Sequence, residues 1–362
     1  MRIGIIGAGQ LGQMLGFAAR DLGFECVFVD PSEAPPAAAC GEVIRAAFDD
    51  ADALASLAER CDVVSYEFEN VSVDALQQIS DNVAIYPPPD ALLHAQDRLA
   101  EKQLFQSLEI PLPAFHCIDS RADMDAAAST VGLPMVVKTR RFGYDGKGQT
   151  FVRTTADLNT AWELLGGTEL IAEAWVDFDY EVSAIGARNV AGAVIHFPLT
   201  RNRHVDGILH TSRAPESNSR LADVAASYMQ RLLDELDYVG VLALELFVAG
   251  DRLLANEFAP RVHNSGHWSI EGATPSQFTA HLLAICDKEL PKPELHGHTG
   301  MVNLIGSIPD AARSLNAGAL HDYGKTARPG RKLGHITVIG DTAADRDRLL
   351  TAVEESVIQS TP

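Results

Sequence analysis

The stretch ANEFAPRVHNSGHW, residues 255–268, joins an apolar strand pattern to a polar run, and the change falls at Pro260. Asn256 and Glu257 lie in the strand part. A guanidinium, two imidazoles, an amide and a hydroxyl follow, together with Trp268. A solvated loop seldom combines so many hydrogen-bonding groups with a tryptophan and so little Lys or Glu. This composition favours a strand end that presents groups to a metal and an anion, with a polar surface loop as the alternative.

The residues upstream of this stretch predict the strand with which it pairs. Residues 241–248 alternate between two faces, and Glu245 falls on an otherwise apolar one. A glycine-containing turn would then return residues 253–258 as the antiparallel partner. A loop with an odd number of residues places Glu257 beside Glu245, about 5 Å away at Cβ, whereas an even number places Asn256 opposite Glu245.

In either register, two anionic strand residues become neighbours in a mainly apolar sheet. Burial and mutual repulsion make that arrangement costly unless a cation lies between the carboxylates. Oxygen ligands of this kind suit Mg²⁺, which usually completes its coordination with water and substrate phosphates. Glu245 and Glu257 are therefore predicted metal ligands, and a structural salt bridge to Arg252 or Arg261 is the alternative.

The bulk composition fits a soluble globular protein and restricts its partners. The chain has 362 residues, 46% of them apolar, which allows two or three domains. No apolar run approaches the ~18 residues of a membrane span. A formal charge of −20 disfavours nucleic acid and anionic membrane surfaces as partners. The five cysteines are scattered and lack a C-x-x-C spacing, which is typical of free thiols in a reducing cytoplasm.

The first 95 residues alternate short strands with helical patterns, which predicts a parallel sheet covered on both faces. The predicted strands are 2–6, 25–29, 43–46, 62–66 and 83–86, and the predicted helices are 51–60 and 72–79. Gly7 to Gly12 spell G-x-G-x-x-G before a helix, and Asp30 ends the second strand, as in dinucleotide-binding folds. A nicotinamide site is one interpretation, while another phosphate or tight packing alone also explains the glycines. Tyr66 to Asn70 add a polar cluster at a strand end, either as ligand-binding groups or as a helix cap.

Cations and glycines cluster in the middle of the chain. A strand predicted over residues 133–138 ends in Lys138, whose ammonium is expected to reach a ligand or, alternatively, to lie at a sheet edge. Residues 140–149 place three glycines among three cations. Free backbone amides there can wrap phosphate oxygens, although a plain hairpin turn is also possible. Residues 201–210 are rich in Arg and His and are predicted to form a flexible anion-binding loop.

Three other segments complete the pattern. Asp97 is expected to cap a helix over residues 98–108, in which Arg98 and Lys102 share one face as a modest anion site or a solvated edge. A strand over residues 170–176 carries Glu173, which suits an adenine edge and ribose hydroxyls. Residues 325–332 hold four cations in eight residues and predict a second anion site or a surface turn.

Taken in order, these motifs resemble those of the ATP-grasp ligases, and most closely the N5-carboxyaminoimidazole ribonucleotide synthetases. The matching segments are GAGQLGQML at 7–15, DRLAEKQLF at 97–105, KTRRFGYDGKGQ at 138–149, YVGVLALELF at 238–247, NEFAPRVHNSGHW at 256–268 and RPGRKLGH at 328–335. The resemblance covers nearly the whole chain, and the last two segments are quite specific. It implies a mixed α/β (α+β) ATP-grasp architecture: a Rossmann-like domain at 1–95, an ATP-grasp domain at 96–295 with a lid at about 110–180, and a small C-terminal domain at 296–362.

The same resemblance implies the candidate site residues. Mg²⁺ would bind Glu245 and Glu257, and Asp145 and Arg261 would be catalytic, Asp145 as a general base. The implied ATP site comprises Arg98, Lys138, Gly143, Tyr144, Asp145, Gly146, Lys147, Gly148, Gln149, Glu173, Ala174, Trp175, Val176, Glu181, His204, Asn256 and Glu257. The implied ribonucleotide site comprises Gln10, Leu11, Glu67, Glu69, Tyr144, Arg261, His263, Asn264, Ser265, Lys325, Arg331 and Lys332.

The implied reaction converts ATP and bicarbonate to carboxyphosphate and ADP, and then transfers CO₂ to the exocyclic amine of 5-aminoimidazole ribonucleotide. It needs cations around the γ-phosphoryl group and a dry pocket, for which the glycine-rich loop would be the lid. A role in purine biosynthesis, a cytoplasmic location and a homodimer are implied as well. The alternatives are another ATP-grasp ligase, such as a formate-dependent glycinamide ribonucleotide transformylase, and an NAD-dependent oxidoreductase that uses Gly7 to Gly12. The oxidoreductase would leave the carboxylate pair unexplained.

Overall fold

The computed structural model describes residues 1–143, 147–314 and 318–358, and its N-terminal part is built on a five-stranded parallel sheet. The elements of this part are β1 (Arg2–Ile6), α1 (Gln10–Asp21), β2 (Glu25–Val29), a 3₁₀ turn (Pro36–Ala39), β3 (Glu42–Ile44), α2 (Ala51–Arg60), β4 (Val63–Tyr66), α3 (Val73–Ile79), β5 (Ala84–Ile85) and α4 (Pro89–Ala95). The strand order is β3-β2-β1-β4-β5, and all pairs are parallel.

The sheet is covered on both faces because β1 divides its apolar side chains between them. Ile3 and Ile5 belong to one core cluster with residues of α1, whereas Ile6 belongs to another with residues of α2 and α3. Asp50 and Ser72 cap α2 and α3 by accepting backbone N–H groups. The predicted parallel sheet is confirmed, and its strands and helices begin and end within two residues of the predicted positions.

Helix α5 (Arg98–Ser107) leads into a separate four-stranded antiparallel sheet with its own apolar core. The elements are β6 (Phe115–Ile118), α6 (Arg121–Thr130), β7 (Met135–Thr139), β8 (Gln149–Val152), α7 (Asp157–Leu165) and β9 (Leu170–Ala174), with strand order β6-β9-β7-β8. Asp97 caps α5 as predicted, because its Oδ1 accepts the Leu99 N–H at 2.9 Å. The glycine-rich loop connects β7 to β8, and Lys138 pairs with Gln149 at its base.

A nine-stranded sheet forms the largest layer of the molecule. The remaining elements are β10 (Tyr180–Arg188), β11 (Val194–His196), β12 (Thr200–Val205), β13 (Ile208–Ala214), α8 (Ser219–Glu235), β14 (Gly240–Ala249), β15 (Arg252–Ala259), a 3₁₀ turn (Asn264–Gly266), α9 (Ser269–Gly272), β16 (Ala273–Thr274), α10 (Gln277–Ile285), β17 (Glu294–Leu295), β18 (His298–Ile305), α11 (Asp310–Arg313), β19 (Ala319–Asp322), β20 (Lys332–Gly340) and α12 (Ala343–Ile358). Its order is β15-β14-β10-β12-β13-β18-β20-β19, with β11 on β10 and with β16 and β17 as a separate pair. Because β13 pairs with β18, the sheet continues across the domain boundary predicted at residue 295. The predicted domain bounds stay predictions.

The flexible loop predicted over residues 201–210 is wrong, because this segment forms the β12–β13 hairpin. Its polar side chains alternate: Thr200 and Asn202 are buried, whereas Arg201 and Arg203 are exposed. That period of two is the pattern of a strand with one buried face. The sequence contains this alternation of small polar and charged residues, but the prediction relied on the content of Arg and His instead.

Helix α8 packs an apolar face against the large sheet. In α8, the longest at 17 residues, Leu221, Ala225, Met229 and Leu232 recur at helical spacing and are buried against the large sheet. In the described part of the chain, no helix combines the length and the hydropathy that crossing a membrane requires.

Candidate functional site

One cavity of about 590 Å³ lies where the parallel sheet, the β6–β9 sheet and the large sheet meet. Most of the residues predicted for the two ligand sites line it. They are Gln10, Leu11, Glu67, Glu69, Arg98, Lys138, Gly143, Gln149, Glu173, Ala174, Trp175, Val176, Glu181, His204, Glu245, Asn256, Glu257, Arg261, His263, Asn264 and Lys332. The predicted ATP and ribonucleotide residues therefore face a common space.

The remaining predicted residues fall into two groups. Tyr144, Asp145 and Gly146 are outside the described residues, so their roles stay predictions. Lys147, Gly148, Ser265, Lys325 and Arg331 are described but are not part of the cavity lining.

The two predicted metal ligands lie on adjacent strands, and a β-bulge sets their register. A two-residue turn joins β14 to β15, and the ladder runs regularly as far as the pair Leu246–Ala255. Continued without change, it would bring Asn256 opposite Glu245, as predicted for an even-numbered loop. Asn256 is instead an extra residue, and Glu257 pairs with Glu245. The loop has an even number of residues, yet the bulge gives the pairing of Glu245 with Glu257 that was predicted for an odd number.

The two carboxyl groups differ because their neighbours differ. Burial, and next the charge of Glu257, raise the pKa of Glu245. Burial would raise the pKa of Glu257 as well, but the Arg98 guanidinium outweighs it and holds that pKa below its usual range. Arg98 Nη1 lies 3.0 Å from Glu257 Oε2. The protein alone thus stabilises one negative charge of the pair, and a second requires another cation.

The donor set of this pair fits Mg²⁺ better than a metal that needs several protein ligands. Within residues 1–143, 147–314 and 318–358, no group of three or more His, Cys, Asp and Glu side chains is arranged to hold a metal ion. Mg²⁺ is commonly held by one or two carboxylates, with phosphate oxygens and water completing its octahedron. Two adjacent carboxylates that line a cavity meet that requirement.

Glu173 brings two lysines together on the side of the cavity formed by the β6–β9 sheet. Its Oε2 lies 3.0 Å from Lys138 Nζ and 3.6 Å from Lys102 Nζ. Burial would raise the pKa of Glu173, but the charges of Lys102 and Lys138 outweigh it and lower the pKa to about 2. Lys138 therefore lies on the cavity wall and not at an exposed sheet edge. Lys102 is completely buried, so the alternative of a solvated edge on α5 is wrong.

Two histidines approach the carboxylates of the large sheet. His204 Nδ1 lies 2.5 Å from Glu181 Oε2. Burial would lower the pKa of His204, but the hydrogen bond to Glu181 and the charge of Glu245 outweigh it and raise that pKa. His263 Nδ1 accepts the Ser265 N–H at 3.3 Å, which leaves its ring hydrogen on Nε2, 3.5 Å from Glu245 Oε1. Burial, and next Arg261, hold the pKa of His263 well below its usual range, so the ring is neutral.

The predicted residue Trp175 belongs to an aromatic wall of the cavity whose other rings, Phe151, Phe178 and Phe247, were missed in the sequence. The rings of Phe178 and Phe247 stack with their centroids 4.7 Å apart, and Phe151 meets Trp175 edge-on at 5.5 Å. Trp175 stays 48% exposed and Phe178 37% exposed, beside the cavity. Flat aromatic surfaces of this kind suit a purine ring. Phe247 was open to prediction, because it shares a strand face with Glu245.

The glycine-rich turn after β1 holds a carboxylate from the chain itself. Glu67, directly after β4, accepts the N–H groups of Gly9 and Gly12, the second at 2.5 Å. A Cβ on Gly9 would lie 2.7 Å from Glu67 Oε1, so the glycine admits this contact. Asp30 accepts the Ala8 N–H at 2.9 Å. The groups that would bind the phosphate and ribose of a dinucleotide are thus occupied, which argues against the NAD interpretation.

Cations of the predicted ribonucleotide side are held by neighbouring polar groups. Arg261 forms an ion pair with Glu69, and its buried Nε has no hydrogen-bond partner among the described residues. Lys325 donates to Gln10 Oε1 on the cavity wall. Burial, and next the charge of Arg331, lower the pKa of Lys325 to about 8. Arg261 lines the cavity, and Lys325 is joined to its wall through Gln10, so the predicted anion-binding role of these cations stays a prediction.

The side chains of Asn264 and Ser265 form hydrogen bonds to neighbouring side chains of the protein. The Asn264 amide exchanges hydrogen bonds of 3.1 and 2.7 Å with Asn303, and its Nδ2 also lies 3.0 Å from His267 Nδ1. Ser265 Oγ lies 2.8 Å from His263 Nδ1 and is completely buried. Both residues hold the polar segment after β15 in place. The network is completed by His267, one of the two imidazoles of the predicted segment, and by Asn303, which was missed in the sequence.

Three family models match successive parts of the chain. The ribonucleotide synthetase preATP-grasp domain matches residues 1–96, the ATP-grasp domain matches residues 103–278, and the phosphoribosylaminoimidazole carboxylase C-terminal domain matches residues 299–348. The predicted ATP-grasp architecture is confirmed by these matches.

Individual relatives agree over nearly the full length. The N5-carboxyaminoimidazole ribonucleotide synthase of Pseudomonas aeruginosa is 44% identical over 357 residues, which cover 98% of each chain. The structure of the synthetase from Thermus thermophilus superposes with a TM-score of 0.94 at 45% identity and covers 98% of each chain. The synthase from Aspergillus clavatus, in complex with ADP and 5-aminoimidazole ribonucleotide, gives a TM-score of 0.91 at 29% identity and covers 99% of this chain and 98% of that one. With this agreement in sequence, fold and domain order, the chain belongs to the N5-carboxyaminoimidazole ribonucleotide synthase family.

Proposed function

We propose that this chain carboxylates the exocyclic amine of 5-aminoimidazole ribonucleotide, with ATP and bicarbonate as cosubstrates, in purine biosynthesis. The observation that carries the proposal is the common cavity. One of its walls contains the carboxylate pair, Arg98, Lys138 and the aromatic rings, and the other contains Gln10, Leu11, Arg261, His263 and Asn264. A phosphoryl donor and an amine acceptor bound to these walls would meet in one enclosed space. The ligands in the relatives' structures agree with this pairing.

ATP is proposed to bind between the β6–β9 sheet and the large sheet. The adenine would lie against Trp175 and the Phe178–Phe247 stack, where apolar surface is exposed. Lys138 and Arg98 would contact the phosphates, since carboxylates already hold both cations at the wall. Fixed positive groups of this kind stabilise the charge that develops during phosphoryl transfer.

Glu245 and Glu257 are the residues that would hold Mg²⁺. The bound ion would neutralise charge on the phosphate oxygens and help to orient them. The chain contributes the register that places the two carboxylates side by side, and Arg98 keeps Glu257 ionised. The Nε2 hydrogen of His263 faces Glu245 and would help to hold that carboxylate in position.

The ribonucleotide is proposed to bind on the opposite wall, with its phosphate near Lys325, Arg331 and Lys332. A bicarbonate oxygen would attack the γ-phosphorus and release ADP, and the resulting carboxyphosphate would release CO₂ and phosphate. The amine would then add to CO₂ and lose a proton. Arg261, held by Glu69, would stabilise the anionic intermediates, and Asp145 is the proposed base for the amine proton. Excluding water matters because carboxyphosphate hydrolyses readily.

A coupled assay of ADP release tests the proposal. ADP release should require both bicarbonate and 5-aminoimidazole ribonucleotide, and the protein itself should not oxidise NADH when the coupling enzymes are left out. Equal ADP release with formate and glycinamide ribonucleotide would refute the proposal and indicate the transformylase alternative.

We also propose a cytoplasmic homodimer. All five cysteines are free thiols, as expected in a reducing compartment. The dimer follows from the family resemblance. Light scattering at assay concentrations tests it, and a molar mass equal to the 38.9 kDa of a single chain would refute it.

A further inference from the structure

Strand β15 is the edge of the large sheet, and helix α5 covers the part of that edge which contains the bulge. An edge strand leaves backbone groups without a strand partner. Lys102 Nζ donates to Asn256 O, and Glu101 Oε1 accepts the Phe258 N–H at 2.7 Å. The backbone groups on both sides of Glu257 are thus bonded to adjacent residues of one helix.

A third residue of α5 contacts the Glu257 side chain. Arg98 Nη1 donates to Glu257 Oε2 at 3.0 Å. Arg98, Glu101 and Lys102 are three and four residues apart, so they share one face of the helix. The same helical face therefore controls both the backbone and the side chain of Glu257.

The Glu101–Lys102 pair is buried, which distinguishes it from a surface ion pair. Both side chains are at most 3% exposed, and Lys102 Nζ lies 3.8 Å from Glu101 Oε2. Removing an ammonium and a carboxyl group from water is costly, and their attraction often does no more than offset that cost. A contribution to overall stability is therefore a weak explanation for the presence of this pair. Its hydrogen bonds to the bulge indicate a role in positioning that part of β15.

We propose that Glu101 and Lys102 are positioning residues, which hold the bulge of β15 so that Glu257 stays opposite Glu245. Without these bonds, the freed backbone groups would favour the regular ladder, in which Asn256 faces Glu245. The inference rests on the proposed function, because the register matters for the Mg²⁺–nucleotide site. Neither residue needs to contact the nucleotide or the ion for this role.

Calorimetric binding of ADP, measured with Mg²⁺ and again with EDTA, tests the role. Mg²⁺ should strengthen ADP binding to the unaltered protein. The double variant Glu101→Met/Lys102→Met, which removes both hydrogen bonds to the bulge and leaves Glu173 paired with Lys138, should reduce that strengthening about 10-fold. Glu101→Gln should retain most of it, because the amide oxygen can still accept the Phe258 N–H. Gln103→Met, an exposed position on the same helix, is the matched control and should have no effect.

The outcomes separate the two proposals. A double variant with an unchanged circular dichroism spectrum and full Mg²⁺ strengthening overturns the positioning role. If that variant does not fold, Glu101→Met and Glu101→Gln provide the same comparison, and equal strengthening in both overturns it. If Mg²⁺ does not strengthen ADP binding even in the unaltered protein, the proposed metal site fails, and the positioning role fails with it. A purely structural role would lower the melting temperature and leave the ratio of the two affinities unchanged.

Discussion

Lowering the pH from about 7 to about 4 is expected to destabilise the junction between the parallel sheet and the large sheet, because a buried histidine joins them. His281, in α10, accepts the Val241 N–H at Nδ1 (3.1 Å), and its Nε2 lies 3.0 Å from Ser65 Oγ. Burial lowers the pKa of His281 from 6.5 to about 4. Protonation would place a charge in the interior and remove the acceptor that Val241 uses.

The sign and size of the effect follow from the two pKa values. Above pH 6.5 the ring is neutral in both the folded and the unfolded chain, and the stability from this group is fully present. Between pH 6.5 and about 4, the unfolded chain binds a proton that the folded chain does not, so the free energy of unfolding falls as the pH falls. A pKa difference of about 2.5 corresponds to roughly 3 kcal/mol.

Urea unfolding at a series of pH values, followed by circular dichroism, measures this effect when a variant is compared with the unaltered protein. His281→Asn keeps an acceptor for the Val241 N–H but does not titrate in this range. Its free energy of unfolding should therefore depend less on pH, by roughly 3 kcal/mol between pH 6.5 and 4. The exposed His296→Asn substitution is the control. Identical pH dependence in His281→Asn and the unaltered protein would refute the reasoning.

Three further substitutions test the site itself. Glu257→Gln should abolish Mg·ATP hydrolysis with an unchanged circular dichroism spectrum, and retained hydrolysis would remove Glu257 from the metal site. Trp175→Ala should weaken ADP binding about 10-fold in calorimetry, because a ring is lost from the aromatic wall, whereas unchanged affinity would place the base elsewhere. Gly9→Ala should lower the free energy of unfolding by roughly 1–3 kcal/mol in urea titrations, because the new Cβ would lie 2.7 Å from Glu67 Oε1; unchanged stability would contradict this steric reading.

Local patterns sufficed to predict the strands and helices of the first 95 residues and the neighbouring carboxylates, but not the β12–β13 hairpin. Alternation along residues 241–248 put Glu245 on an apolar face, and the turn that follows β14 brought the next strand back against it. Each of these features depends on a few adjacent residues. The family resemblance then supplied the domain order, which the family models confirm.

The rest of the site depends on contacts between distant parts of the chain. The register at Glu257 depends on Lys102 and Glu101, about 150 residues earlier, which hold the bulge. The role of the glycine turn depends on Glu67, which follows a different strand and accepts two backbone N–H groups of the turn. No local pattern separates a glycine turn that receives a phosphate from one that receives a carboxylate of its own chain.

The single extra residue in β15 also determines where this strand can change in length. If Asn256 were deleted, the shortened strand would pair regularly, and Glu257 would still face Glu245 while Phe258 would still face Leu244. The residues that follow, Arg261 and His263 included, would keep their places, and the change would be confined to the bulge and to the backbone carbonyl that Lys102 binds. A deletion between Glu257 and Arg261 would instead draw Arg261 back by one strand position, about 3.4 Å. The bulge is therefore a point at which β15 can lose a residue without changing the distance between the carboxylate pair and the residues of the predicted acceptor side.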